Sequence, residues 1–364
     1  MKISVLGAGN AGCAIAADLA SRNHDVTLIK TSKSMHEDNF DYLEKSNGAI
    51  SMLEDGEVSH VNITKVTRDV SAVSGSDVII IYIQTNYHED LIKRICPFLK
   101  NGQIVLMNPG YLSTAYMLEH MGDKDIVIAE AESSFIDCRI SEPGSINVAF
   151  RNVRNPIGIY PVEKADYAKE KLEKLGFPFT YVSSVVEAAL HNPNLIIHTV
   201  GAVMSIPRIE KTGGDYCMYY EVFTPSVWNI LERLDGEKMD VLEHLGFSRV
   251  PYVEACKFRN SLDDSRDAKE VFFWYASMPT CVKGPIVVDS RYITEDVSQG
   301  LVMLESLGTQ LNIKTPICTA LIEMASAALG RDMREGGRTP DRLGKDNVKR
   351  ILDNCGRGLS PSKS

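Results

Sequence analysis

The chain has 364 residues, 44% hydrophobic and 24% charged, a composition that suits a soluble globular protein with a substantial core, and its length suggests about two domains. Thirty-nine basic against 48 acidic side chains leave a net charge of −9, which argues against nucleic acid as a partner, and no run approaches the roughly 20 apolar residues of a membrane span. The eight cysteines, Cys13, Cys96, Cys138, Cys217, Cys256, Cys281, Cys318 and Cys355, are scattered without a CxxC, so neither a disulfide framework nor a zinc cluster is expected and a reducing cytoplasm fits.

The start shows no basic lead and no apolar signal core; it reads directly as a first strand, KISVL at 2–6. Gly7, Ala8, Gly9, Asn10, Ala11 and Gly12 follow as GxGxxG, then a stretch of small and apolar residues at helical spacing, then DVTLI as a second strand. In such a β-turn-α-β unit the first glycine permits the tight turn, the second lets backbone approach a pyrophosphate, and the third lets the helix pack close to the strand. The helix N-terminus, with Asn10 and Ala11, then faces the phosphate charge. This is the Rossmann pattern of a nicotinamide dinucleotide site.

The acid that usually meets the ribose 2′-hydroxyl at the end of the second strand is replaced by Lys30. Lys30, Thr31, Ser32 and Lys33 offer two cations and two hydroxyls to a 2′-phosphate, so NADP is expected ahead of NAD. The same four residues also suit a solvated loop. VNITKVTRDV at 61–70 reads as a strand entering a turn, and VIIIYI at 78–83 as a strand buried on both faces. Gln84 and Thr85 follow that strand's carboxyl end, where contacts to the nicotinamide half are expected. HEDLIKRICPFLKNG reads as a helix, QIVLMNPG and DIVIAEAES as further strands, and a largely parallel sheet grows.

After about residue 185 the texture changes to apolar residues at three and four spacing, over 186–205, 225–245, 265–278, 295–311 and 316–329. The expected division is an α/β domain over 1–185 and an all-α domain over 186–364. Thr224 before Pro225 is a helix start signal. The terminal GRGLSPSKS reads as a mobile tail.

Several phrases of the second half, NPNLIIHT at 192–199, YYEVFTPSV at 219–227, LDGEK at 234–238, RYITEDV at 291–297, KTP at 314–316 and GRTPDRLG at 337–344, resemble the octopine/nopaline (opine) dehydrogenase family, of which carboxyethyl-norvaline dehydrogenase is a member. NPG at 108–110, AEAES and the Cys138-Arg139 pair are similar to it as well. The resemblance implies a Rossmann domain joined to a helical domain like the C-terminal part of 6-phosphogluconate dehydrogenase. It implies reductive condensation of an amino acid with a 2-oxo acid, the two small-molecule partners, with a homodimer allowed and no metal required.

By the family motif the proton-transfer pair is His198 and Asp296, a histidine suited to neutral pH and a carboxylate to orient it. Arg291 is the expected substrate carboxylate clamp; the alternative is a surface arginine beside a helix start. Asp296 also suits a helix first turn. Cys138, Tyr220 and Thr224 match family positions at the substrate pocket, although a buried thiol, a packing aromatic and a helix cap are the plainer roles. His191 and His198 lie about 10.5 Å apart along a helix axis, too far to share one metal ion. A ketopantoate or 2-hydroxyacid reductase would need a catalytic lysine on the helix at 186–205, which has none. A non-catalytic dinucleotide sensor would need the glycines but not the His-Asp pair.

Overall fold

In the computed structural model, which describes residues 1–277 and 283–355, the chain divides into two units, one ending at Ala188 and the other beginning at Ala189. The stretch 356–364, expected as a tail, and residue 278, the end of one expected helix, lie outside the described residues.

Apolar runs too short for helices become strands in the first unit. They are β1 (Lys2–Leu6), β2 (Asp25–Ile29), β3 (Ala49–Glu54), β4 (Glu57–Asn62), β5 (Lys65–Thr67), β6 (Val78–Ile81), β7 (Ile104–Met107), β8 (Val127–Ala131), β9 (Ile136–Glu142), β10 (Ser145–Arg151), β11 (Asn155–Tyr160) and β12 (Phe179–Tyr181). Between them run α1 (Asn10–Ser21), α2 (Glu37–Lys45), α3 (His88–Ile95), α4 (Thr114–His120) and α5 (Ala165–Leu172). Eight strands form one sheet in the order β12-β11-β8-β7-β6-β1-β2-β5. From β8 through β5 every pairing is parallel; β11 returns antiparallel on β8 and β12 lies parallel to it. Each residue of β6 and β7 is buried, as expected of central strands covered on both faces.

The remaining strands make a small sheet, β4-β3-β10-β9, that the apolar patterning did not announce. Its reason is visible in β4, EVSHVN, which is exposed along nearly its whole length and so carries no apolar face to read. The run expected as one strand at 61–70 is divided between the end of β4 and β5.

The chain crosses into the second unit within α6 (Val185–Leu190). There follow α7 (Pro193–Met204), α8 (Ile206–Thr212), α9 (Met218–Glu221), α10 (Pro225–His244), α11 (Tyr252–Asn260), α12 (Ala268–Ala276), α13 (Arg291–Thr294), a π-helical turn at Asp296–Leu301, α14 (Val302–Leu311), α15 (Pro316–Leu329), α16 (Pro340–Leu343) and α17 (Lys345–Cys355). Proline stands in the first turn of α7, α8, α10, α15 and α16, where its missing N–H has no partner to lose. Thr224 occupies the cap position of α10 as expected, yet its hydroxyl makes no capping hydrogen bond. The buried face of α7, including Leu195, Ile196, Val200 and Val203, packs against α10, α13 and the π-helical turn.

Among the described residues no helix is long and apolar enough to cross a membrane, and no cluster of His, Cys, Asp and Glu could hold a metal ion. Cys217 is disulfide-bonded, a single bond that the scattered cysteines did not announce.

Candidate active-site elements

The glycine turn leaves β1 at the point where the strand order reverses, with β2 on one side and β6 on the other. That is the switch point at which open α/β sheets bind ligands. Gly7 sits at φ +114, and a Cβ there would lie 2.1 Å from the Tyr82 carbonyl oxygen. A Cβ on Gly12 would lie 1.7 Å from the Gly7 oxygen, so this glycine sets how closely α1 approaches the strand. At Gly9 the nearest such atom, His36 Cδ2, is 3.9 Å away, which leaves room for a phosphate. Gly9 caps α1 without a side-chain bond and no acid stands in the first turn; the helix N-terminal N–H groups of this turn, with Asn10 and Ala11, therefore fit an anion. The Asn10 side chain is itself committed, its Oδ1 accepting from the Ile140 N–H of β9 at 2.8 Å.

Lys30 follows β2, but its ammonium does not reach into solvent. The side chain is 4% exposed, donates to the Met35 carbonyl and pairs with Glu37 at 3.4 Å. The Thr31 carbonyl accepts from Arg94 at 2.9 Å, Ser32 bonds Ser34, and Lys33 is exposed. Gln84, half-buried, and Thr85, buried, follow the carboxyl end of β6 as expected. Glu130 is a structural anchor: its buried carboxylate accepts from the N–H groups of Leu112 and Thr114 and from the Thr114 hydroxyl, fixing the start of α4. Cys138 is turned into the first unit's core at 2% exposure. Burial pushes its thiol up to about 11, which suits the plainer role of a small core residue.

In the second unit α7 begins with the Asn192 side chain accepting from the Asn194 N–H at 2.9 Å and with Pro193 in its first turn. His191 falls outside the helix and His198 inside it. His198 Nδ1 meets Asp296 Oδ2 at 2.8 Å across 98 residues of sequence. An ionised carboxylate can only accept, so opposite one, Nδ1 carries the hydrogen and Nε2 keeps its lone pair. The imidazole is 15% exposed and Asp296 1%.

Asp296 opens the π-helical turn, a distortion frequent at functional sites. That turn is held from outside by Arg338, wholly buried, whose Nε donates to Gln299 Oε1 at 3.1 Å and whose backbone N–H donates to the Ser298 carbonyl at 3.0 Å. The GRTPDRLG phrase thus supports the catalytic candidate from behind. Tyr292 stacks on the His198 ring, centroids 3.9 Å apart and planes at 29°. Sequence reasoning assigned Tyr292 no role, although it lies inside RYITED; ring stacking leaves no periodic trace. Burial, followed by the charges of neighbours that include Tyr292 and Asp296, pushes the Tyr219 phenol up, keeping it neutral beside this pair.

Arg291, half-exposed, pairs through Nε with the buried Glu295 carboxylate at 3.0 Å. Tyr220 and Thr224 are both exposed. His191 is buried, and burial first, then Lys238 and Arg259, hold its pKa well below 6.5. It stays neutral, which is the packing role and not the catalytic one.

Comparison with known proteins matches two stretches of the chain. Residues 181–329 match the family model of the NAD/NADP octopine/nopaline dehydrogenase α-helical domain, and residues 2–111 match that of the NAD-dependent glycerol-3-phosphate dehydrogenase N-terminus. An opine dehydrogenase of Arthrobacter sp. (strain 1C) is 29% identical over 94% of either chain. An octopine dehydrogenase solved with NADH and agmatine shares the fold at a TM-score of 0.78 and 18% identity, covering both chains fully. A yersinopine dehydrogenase bound to NADP+ does so at 0.74 and 15% identity, covering 98% of this chain and 99% of that one.

Proposed function

We propose that this NAD(P)-dependent oxidoreductase, in which a stretch matching a dinucleotide-binding N-terminus precedes one matching the octopine/nopaline dehydrogenase helical domain, is an opine dehydrogenase that joins an amino acid to a 2-oxo acid by reductive condensation. Amine and carbonyl lose water to give an imine, and addition of hydride to carbon and a proton to nitrogen gives a secondary amine bearing both carboxylates. The reverse is oxidation of that amine.

A nicotinamide dinucleotide, when bound, supplies or receives the hydride. The residues that would hold it are Gly7, Gly9 and Gly12, the backbone at Asn10 and Ala11, and Gln84 and Thr85 beyond β6. The cofactor is NAD(H) or NADP(H), and which of the two turns on the surroundings of Lys30.

The observation that carries the reading is the His198–Asp296 contact at 2.8 Å. Imine formation and its reversal need a group that gives and takes a proton near neutral pH. His198 does this at Nε2, while Asp296 fixes the tautomer and stabilises the imidazolium. The Tyr292 ring face lies against the imidazole and helps to fix its plane. Arg291 is assigned to a substrate carboxylate, with Tyr220 and Thr224 lining the amino-acid side of the pocket. A sensor that binds dinucleotide without turnover has no use for the buried acid beneath His198, and α7 carries no lysine for a ketopantoate-type reduction.

The test is oxidation of NADH and NADPH by purified protein with a panel of 2-oxo acids, each with and without a panel of amino acids. Turnover that requires both substrates is the expected result. Oxidation by a 2-oxo acid alone would make the protein a simple reductase, and binding without turnover would make it a sensor.

A further inference from the structure

We propose that Glu37, the first residue of α2, selects NAD(H) over NADP(H) by taking the place of the acid missing from the end of β2. The inference rests on the reading of the first unit as a dinucleotide-binding domain and adds the choice of dinucleotide.

Lys30 and Arg68 follow the carboxyl ends of the adjacent parallel strands β2 and β5, whose pairing runs on through the Lys30 N–H to the Thr67 carbonyl at 3.0 Å. Read as a sequence, Lys30 and Lys33 invite a 2′-phosphate. The structure gives Lys30, together with Arg68, to one carboxylate, while Lys33 is exposed. Arg68 Nη2 donates to Glu37 Oε2 at 2.7 Å and Lys30 Nζ lies 3.4 Å from Glu37 Oε1. Arg68 reaches Asp41 as well, at 3.7 Å, and its guanidinium lies over the Phe40 ring at 4.5 Å. Two basic and two acidic side chains leave the cluster without net positive charge.

The hydrogen bond from Arg68, reinforced by the Lys30 charge, holds the Glu37 carboxyl below the usual carboxylate range, so it is ionised at neutral pH. The cluster also stands beside the dinucleotide turn, because His36, one residue before Glu37, is the side chain closest to the Cβ position of Gly9. Glu37 remains 38% exposed, open to a ribose hydroxyl that donates to it. A 2′-phosphate at the same place meets a fixed negative charge, and Lys30 and Arg68 are already paired with it.

The test is equilibrium binding to the intact protein, followed by nucleotide fluorescence for NADH and NADPH and by calorimetry for 5′-AMP and 2′,5′-ADP. NADH is expected to bind roughly ten-fold or more tightly than NADPH, and 5′-AMP more tightly than 2′,5′-ADP. Glu37→Gln should narrow the NADH-to-NADPH ratio by roughly ten-fold, mainly by strengthening NADPH. Glu37→Asp, which keeps the charge, should keep the preference. Equal or tighter binding of NADPH by the parent, or a ratio that Glu37→Gln leaves unmoved, overturns the role of Glu37 while leaving the dinucleotide domain intact. Failure to bind either dinucleotide overturns both.

Discussion

At the scale of single residues, the fate of two histidines seven positions apart shows how environment and not residue type assigns chemistry. His198 faces a buried carboxylate through one nitrogen and leaves the other for proton transfer, whereas His191 is enclosed beside Lys238 and Arg259 and stays neutral. His198→Ala is expected to lower kcat/KM about 10²–10⁴-fold, with dinucleotide affinity unchanged because the glycine turn is untouched. Asp296→Asn should cost a similar order: an amide can donate to Nδ1, which moves the imidazole hydrogen to Nε2 and removes the basic nitrogen there. Steady-state kinetics set beside nucleotide titrations check both variants, and near-normal turnover in either would remove the pair from the mechanism.

At the scale of elements, α10 and α11 are fastened by an ion pair withdrawn from water. Lys238 Nζ lies 2.6 Å from Asp235 Oδ1 and donates to the Val250 carbonyl at 3.1 Å, while Asp235 Oδ2 accepts the Tyr252 N–H at 2.8 Å. Lys238→Met leaves Asp235 buried without its cation and is expected to destabilise the protein by about 3–5 kcal/mol. The double variant Asp235→Leu with Lys238→Met should recover much of that loss. Urea denaturation measures both, and equal loss in the two would mean that the charges are not coupled. The LDGEK phrase that supplies this pair was legible only as part of a family pattern; its bonding partners lie on another helix. β1, α1, β2, β6, β7 and β8 were legible from apolar runs and glycines alone, because each is buried on a regular period. β3, β4, β9 and β10 were not, since a small sheet with one wet face offers little apolar contrast. The His198–Asp296 contact depends on how helices far apart in sequence pack, and only the resemblance of the surrounding phrases pointed to it. The commitment of Lys30 to Glu37 was hidden for the same reason: the carboxylate comes from the next helix.

At the scale of the whole molecule, His191 links stability to acid. Its folded pKa is held well below 6.5, while the unfolded chain binds a proton at about that value. Above pH 6.5 both states are neutral there and the group contributes nothing to the pH dependence. As pH falls below 6.5 the unfolded state gains a proton that the folded state refuses, and stability declines until the folded pKa is reached. The urea midpoint of the parent should therefore drop between about pH 7.5 and about pH 5.5, and His191→Gln should drop less over the same interval. An identical pH slope in the two proteins would show that His191 is not part of this linkage.

The bond from Ile140 to the Asn10 side chain has a consequence for how the protein is made. All three glycines of the dinucleotide turn leave the ribosome before β9, and the donor that fastens the turn's own asparagine follows 130 residues later. β3 likewise waits for β10, whose Ser145 pairs with Ser51. A nascent chain halted before β9 carries the complete fingerprint with Asn10 unanchored and the small sheet open at β3, so the nucleotide turn, although synthesised ahead of β9 and β10, is among the last parts of its unit to be secured.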